Sequence, residues 1–199
     1  MNREAKKVLH RQRLLNAALH VFVRHGYERA TVEQIATRAR VSKGTAYNYF
    51  ADKRALYLAV VDANVEDFFR LIATATDPDD TPRENVERVV RAIFAHHSEH
   101  PARLELLSEA TTVTDRTVRR RFLDSTLRHT GLLAPLIELG RDRSILRRAG
   151  DSVDLVLCFV GVIHVFLRQW DLSGGTFALQ TRVPLVADFI MHGAFVAHD

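Results

Sequence analysis

Long stretches of this chain run without a residue that would stop a helix. Its 199 residues include only nine glycines and five prolines. Between them, apolar side chains recur at three- and four-residue steps, the period that gives an α-helix one buried stripe. An all-α fold of about nine helices follows, and the breakers that do occur mark its joints. A first helix is expected from Arg3 to about His25, with Leu15, Ala18, Leu19, Phe22 and Val23 inward and Gly26 in a left-handed C-cap. Thr31 and Gln34 form a capping box for a second helix that ends near Ala39. Arg40 and Val41 make a turn, Ser42 caps a third helix over Lys43–Phe50, and Asp52 caps a fourth from Lys53 to about Thr74. After the interruption DPDDTP, Thr81, Pro82 and Glu84 open a fifth helix reaching about His97. A sixth starts at Pro101 and ends near Ala110. A seventh runs from about Asp115 to Gly140, bent near Pro135. Asp151 caps an eighth that reaches Trp170, Ser173-Gly174-Gly175 breaks the chain, and a ninth covers about Arg182 to Val196.

Charge divides the chain unevenly. Residues 1–54 carry 12 Lys and Arg against 4 Asp and Glu, whereas residues 55–199 carry 16 against 20. A short basic head, 1–54, on a mildly acidic body, 55–199, is the pattern of a polyanion-binding module on a scaffold. The plainer alternative is a solvated basic face with no partner.

Residues 31–56 favour the first reading. Two short helices meet at a tight turn and are braced by the first, the arrangement in which the second helix enters the major groove of DNA. The N-termini of these helices present free N–H groups and a positive dipole end to a phosphate. Thr31, Ser42 and Thr45 add hydroxyls, Lys43 and Lys53 add charge, and Gly44 permits close backbone approach. Tyr47, Asn48 and Tyr49 offer hydroxyls, an amide and flat faces, and an asparagine is able to read adenine N6 and N7. Plainer roles exist for several of these: Thr31 and Ser42 as caps, Tyr49 as half core, Asn48 as a polar surface residue.

The run VSKGTAYNYF, with Ile35-Ala36 six residues upstream and Lys53 three residues downstream, resembles the DNA-binding signature of the tetracycline-repressor (TetR) family over about 45 residues. Three positions depart from it. Arg40 stands where the family usually has glycine, so that either the turn is strained or it differs, and Arg40 is a further candidate phosphate contact. Asn48 replaces a frequent histidine, so sequence preference does not transfer. Arg54 replaces a frequent acidic residue and adds positive charge near the DNA side.

The resemblance implies that the body is a helical effector-binding and dimerisation domain. A small-molecule effector inside it would tilt the fourth helix and shift the separation of two recognition helices in a homodimer. The implied dimer interface lies on the last two helices, with Leu155, Phe159, Val162, Phe189, Ile190 and Phe195 as candidates and Gly161, Gly193 and Ala194 allowing close approach. Candidate pocket residues are Phe69, Phe94, Phe122, His129, Phe159, Phe166 and Trp170, all of which also suit an ordinary core. His96, His97 and His100 have ligand-like spacing but lack an evident fourth ligand, and they read better as solvated histidines at a helix end. No metal or cofactor is expected.

No HExxH, GxSxG, phosphate-cradling glycine loop or paired cysteine ligands are present, so an enzyme has no positive support. The single Cys158 allows no internal disulfide. The N-terminus is too charged for a secretory leader, and Leu155–Leu167 is shorter than the roughly 20 residues that span a bilayer. A cytoplasmic DNA-binding regulator is therefore expected, a repressor released from a palindromic operator. Activation and non-specific DNA binding are the alternatives.

Overall fold

The structure is a computed structural model and describes residues 3–77, 79–133, 138, 140–141 and 151–194. Among these, the regular elements are α1 (Arg3–Arg29), α2 (Val32–Ala39), α3 (Lys43–Tyr49), α4 (Lys53–Ala75), α5 (Pro82–Glu99), α6 (Pro101–Thr112), α7 (Arg116–Thr130), α8 (Ser152–Leu172), a 3-10 turn (Leu179–Arg182) and α9 (Val183–Ala194). They pack as two compact units. The first takes the chain up to Val65 together with Ala102–Ser125. The second takes Glu66–Pro101 and the chain from Thr126 onward. The basic head expected over residues 1–54 lies within the first unit, which also recruits most of α6 and the first part of α7.

The first unit is built around α1. Leu14, Leu15, Ala18, Val21 and Phe22 form its inward stripe; α1 packs on α2, which buries Ile35, Ala36 and Ala39, and α2 packs on α3, which buries Ala46. Buried alanines let the two short helices approach closely, and Phe50 closes the end of α3. Gly26 differs from the expected left-handed cap. Its φ of 72° is positive but its ψ of 161° is extended, so the chain breaks direction there and resumes for one helical turn to Arg29. Glu109 Oε1 lies 3.2 Å from where a β-carbon of residue 26 would sit, and only a residue without one accepts both this φ and that neighbour.

In the second unit α5 packs against α9 and the 3-10 turn, and α8 packs against α9. The capping box at Thr81 and Glu84, with Pro82 in the first turn, starts α5 as expected. Val86, Val89, Val90, Ile93 and Phe94 form its buried face. Asp151 accepts from the N–H groups of Val153 and Asp154 and starts α8. Gly174 and Gly175 stop it with φ of 67° and 72°. The ring of Trp170 lies 3.2 Å from where a β-carbon of Gly175 would sit, and the indole N–H donates to the Phe177 carbonyl at 3.1 Å. The seventh helix is shorter than expected. It ends at Thr130, where the N–H groups of Leu132 and Leu133 turn back to the carbonyls of His129 and Thr130, and the Thr130 hydroxyl donates to the Leu127 carbonyl at 2.7 Å. The bend expected at Pro135 and the interface residue Phe195 lie outside the described residues.

Candidate nucleic-acid interface

Two local devices shape the exposed end of the first unit. Thr31 Oγ1 accepts from Gln34 N at 3.2 Å, and Gln34 Oε1 accepts from Thr31 N at 2.9 Å, so both partners of the α2 capping box are engaged. Ser42 Oγ accepts from Thr45 N at 3.0 Å and lies 2.8 Å from the Thr45 hydroxyl. These hydroxyls act first as caps that define where α2 and α3 begin. Between the two helices Arg40 adopts φ 57° and ψ 45°, and its backbone N–H reaches the Ala36 and Thr37 carbonyls. A left-handed conformation costs a non-glycine residue about 1–2 kcal/mol, so the turn is strained.

Seven residues of α3 make a rod roughly 10 Å long, a length the major groove of about 12 Å width admits. Ala46 is its buried anchor. Ser42, Lys43, Gly44, Tyr47 and Asn48 face outward, Tyr47 with 46% exposure, and Thr45 and Tyr49 are half-buried. Tyr49 meets the His10 ring edge-on at 6.4 Å, which ties α3 to α1. Lys43 pairs with Glu33 at 3.3 Å, but both side chains are more than half exposed. Such an exposed pair is worth little and yields readily to a phosphate.

Lys53 has a different placement. Its ammonium donates to the carbonyls of Tyr27 at 2.7 Å and Glu28 at 2.9 Å and stands 4.7 Å above the Tyr27 ring. Two of its three donors are thus engaged on the end of α1. Arg54, expected to add charge on the DNA side, pairs with Asp115 at 3.0 Å. Glu109 completes the brace, accepting from Tyr27 N at 2.6 Å and from the Tyr57 hydroxyl at 3.5 Å. Burial, reinforced by the Glu109 carboxylate, pushes the Tyr57 phenol far above its ordinary pKa and keeps it a donor. Desolvation works against the Asp115 carboxylate, but the Thr117 and Val118 N–H groups and the Arg54 guanidinium outweigh it and hold its pKa below the usual range. Neither Glu109 nor Asp115 is signalled in the sequence, because each meets a partner more than fifty residues away.

The candidate pocket residues separate. Phe122 is half-buried in the first unit, and the other six belong to the second. Phe69 and Phe94 are fully buried core, while His129, Phe159, Phe166 and Trp170 are half-buried. Of the three histidines expected to be solvated, His97 is instead buried on the inner face of α5, with Nδ1 on the Ile93 carbonyl at 2.9 Å, and the His96 and His100 rings stand 4.9 Å apart. Among the described residues no three His, Cys, Asp or Glu side chains converge as metal ligands. On α8, Leu155, Phe159 and Val162 are half-exposed, and on α9 Ile190 is buried within the chain. The uncovered apolar residues of these helices are Val165 (66% exposed), Leu172 (73%), Leu185 (56%) and Phe189 (65%). The full α8 is 21 residues and is long and apolar enough to cross a membrane by length and composition, unlike the shorter run seen in the sequence.

Residues 14–60 match the family model for bacterial regulatory proteins of the tetR family, and residues 82–181 match that for the tetracyclin repressor-like C-terminal domain. The chain is 32% identical over 159 residues to the HTH-type transcriptional activator FasR of Mycolicibacterium smegmatis, spanning 80% of this chain and 73% of that protein. It is 27% identical to the HTH-type transcriptional repressor AcnR of Corynebacterium diphtheriae, across 92% of both. In fold it is similar to the transcriptional regulator FadR from Bacillus subtilis, solved in complex with stearoyl-CoA, with TM-score 0.79 and 17% identity over 92% of this chain and 98% of that one.

Proposed function

Because this chain belongs to the TetR family of DNA-binding transcription regulators, we propose that it acts as a homodimeric repressor, released from a palindromic operator by a small-molecule effector. The observation that carries this reading is the α3 surface. Lys43, Gly44, Tyr47 and Asn48 point outward from a helix whose only buried residue is Ala46, on a three-helix core that is otherwise closed. Lys43, Gly44 and the caps of α2 and α3 position the backbone, and Tyr47 and Asn48 reach base edges. Residues 1–54 form the reading head and 55–199 the effector and dimer domain. A DNA operator as partner places the working protein in the cytoplasm.

The dimer seam runs along α8 and α9. Of 21 residues in α8, only Val156, Ile163 and Leu167 are buried within the protomer; Val165 and Leu172 of α8 and Leu185 and Phe189 of α9 lie bare. A twofold copy would cover them, and a pair of heads reads two half-sites at a fixed spacing. The effector acts by binding two states of the body with different affinity.

Selection of bound duplexes from a random pool, followed by titration with purified protein, tests the reading. A palindromic consensus bound by a dimer is expected. No enrichment, with binding that vanishes in moderate salt, would reduce the head to non-specific phosphate binding. Stearoyl-CoA, with which the structurally similar FadR was solved, is the first effector to titrate. The FasR relative favours one second reading, activation, which the same protein–DNA complex performs when its operator lies upstream of the promoter.

A further inference from the structure

On the side of the first unit where α1 passes the end of α2 there is a cleft of about 360 Å³, lined by Arg13, Asn16, Ala17, His20, Arg38, Ala39 and Arg40. On α1, Asn16 and Ala17 lie three and four residues from both Arg13 and His20, so the four share a helix face. Ala17 and Ala39 are buried and make a small-residue floor, and the exposed cationic side chains rise around it. No carboxylate lines the cleft. None of the Arg13, Arg38 and Arg40 guanidinium groups pairs with a carboxylate or a carbonyl among the described residues, whereas Lys43, Lys53 and Arg54 do; what sets the three apart from the head's other exposed cations is that they line one cleft. The negative end of the α2 dipole accounts for Arg38 and Arg40. It does not account for Arg13 and His20, which come from another helix.

We infer that this cleft holds phosphates of the DNA strand flanking the half-site read by α3. The inference rests on the DNA-binding reading above. Three converging cations without a counter-charge call for a polyanion. The lining has no aromatic ring on which a base would stack other than the His20 imidazole, so it recognises backbone and not sequence. Asn16 Oδ1 accepts from Gln12, which leaves its amide N–H groups as donors beside those of Arg13 and His20. Arg40 lies two residues before Ser42, the cap of α3, so one wall of the cleft adjoins the start of the helix that faces the groove. Its strained turn places a guanidinium at that junction.

The test uses the full chain and the selected operator as two duplexes, one ending at the outer edges of the half-sites and one extended by about ten base pairs on each side. R13Q/R38Q is expected to bind the long duplex about 10-fold more weakly at 0.1 M salt. Its salt slope should flatten by roughly 0.9 for each phosphate that the variant no longer neutralises. Binding to the short duplex and base preference should stay as in the wild type, and R13K/R38K should restore much of the affinity. Unchanged affinity and slope on the long duplex overturn the inference. So does tripolyphosphate raising the melting temperature of the wild type but not of R13Q/R38Q while operator binding is equal, which would make the cleft a site for a free anion. K43A, run alongside, separates the two failures. If K43A weakens both duplexes and R13Q/R38Q weakens neither, only the cleft assignment falls; if the pool yields no operator at all, the DNA-reading head falls with it.

Discussion

The helix-turn-helix and the α8–α9 pair are incomplete in opposite ways. Around α3 the apolar side is closed: Ile35, Ala36, Ala39, Ala46 and Phe50 are buried, and what remains outside is charge, amide and hydroxyl. On α8 and α9 large apolar side chains stay outside among the polar ones, with Val165, Leu172, Leu185 and Phe189 more than half exposed. A surface left polar and positive awaits a hydrated, charged partner, and a surface left apolar awaits one that excludes water. One chain thus carries two unfinished surfaces whose chemistry names different partners.

The strongest way to break that contrast is to charge the apolar seam. L185D/F189D should leave the proposed dimer a monomer in sedimentation or light scattering and weaken operator binding by more than about 100-fold, because a single head reads only one half-site. Retained dimerisation would show that those residues do not face a copy of the chain. On the polar side, K43A should weaken binding to every duplex and lower the salt slope by about 1. N48A should cost about 1–3 kcal/mol on the preferred operator only, if its amide reads a base. Equal losses for N48A on all operators, measured by titration, would demote it to a positioning contact.

Acid should distinguish the two units by a smaller amount. Burial, with Arg168 adding to it, lowers the His164 pKa from its ordinary 6.5. The unfolded chain therefore binds the proton more readily, and stability falls as pH drops below 6.5. In the first unit Asp115 is shifted down from 3.8, so its contribution is lost only as pH falls below that value. Thermal melts from pH 7.5 to 5.5 should show a drop that H164Q removes and D115N leaves in place. The smallest effect belongs to the turn. R40G relieves the left-handed strain but adds freedom to the unfolded chain, for a net gain of about 0.5–1 kcal/mol in a denaturant titration. A decrease in stability would mean the Arg40 side chain makes an interaction that outweighs its backbone.

What the sequence makes legible is local. Thr31 with Gln34, Ser42, Thr81 with Glu84, and Asp151 all cap the helices expected of them, because a cap and its target are two or three residues apart. The outward set on α3 is legible for the same reason, since one short helix decides which side chains share a face. The placement of Lys53 is not, because its carbonyl partners lie 25 and 26 residues back, beyond any periodicity. Ile190 fits a seam by helical spacing, yet the packing of α9 on α5 buries it. The cleft is equally hidden although Arg13, Asn16, Ala17 and His20 are in helical register, because its other wall comes from α2.

The brace at Tyr27 bears on how this protein is made and how it can be re-engineered. The residue that receives the Tyr27 N–H is Glu109, 82 positions later, and the partner of Arg54 is Asp115. On the ribosome, the DNA-reading end cannot reach its final form until synthesis has passed those positions. A fragment stopping at residue 65 would leave the Tyr57 hydroxyl and the end of α1 without their acceptor. A chimera that swaps heads at residue 54 would part Tyr27 from Glu109 and Arg54 from Asp115. Grafts that also carry residues 102–125 keep the donor and acceptor on the same side of the cut.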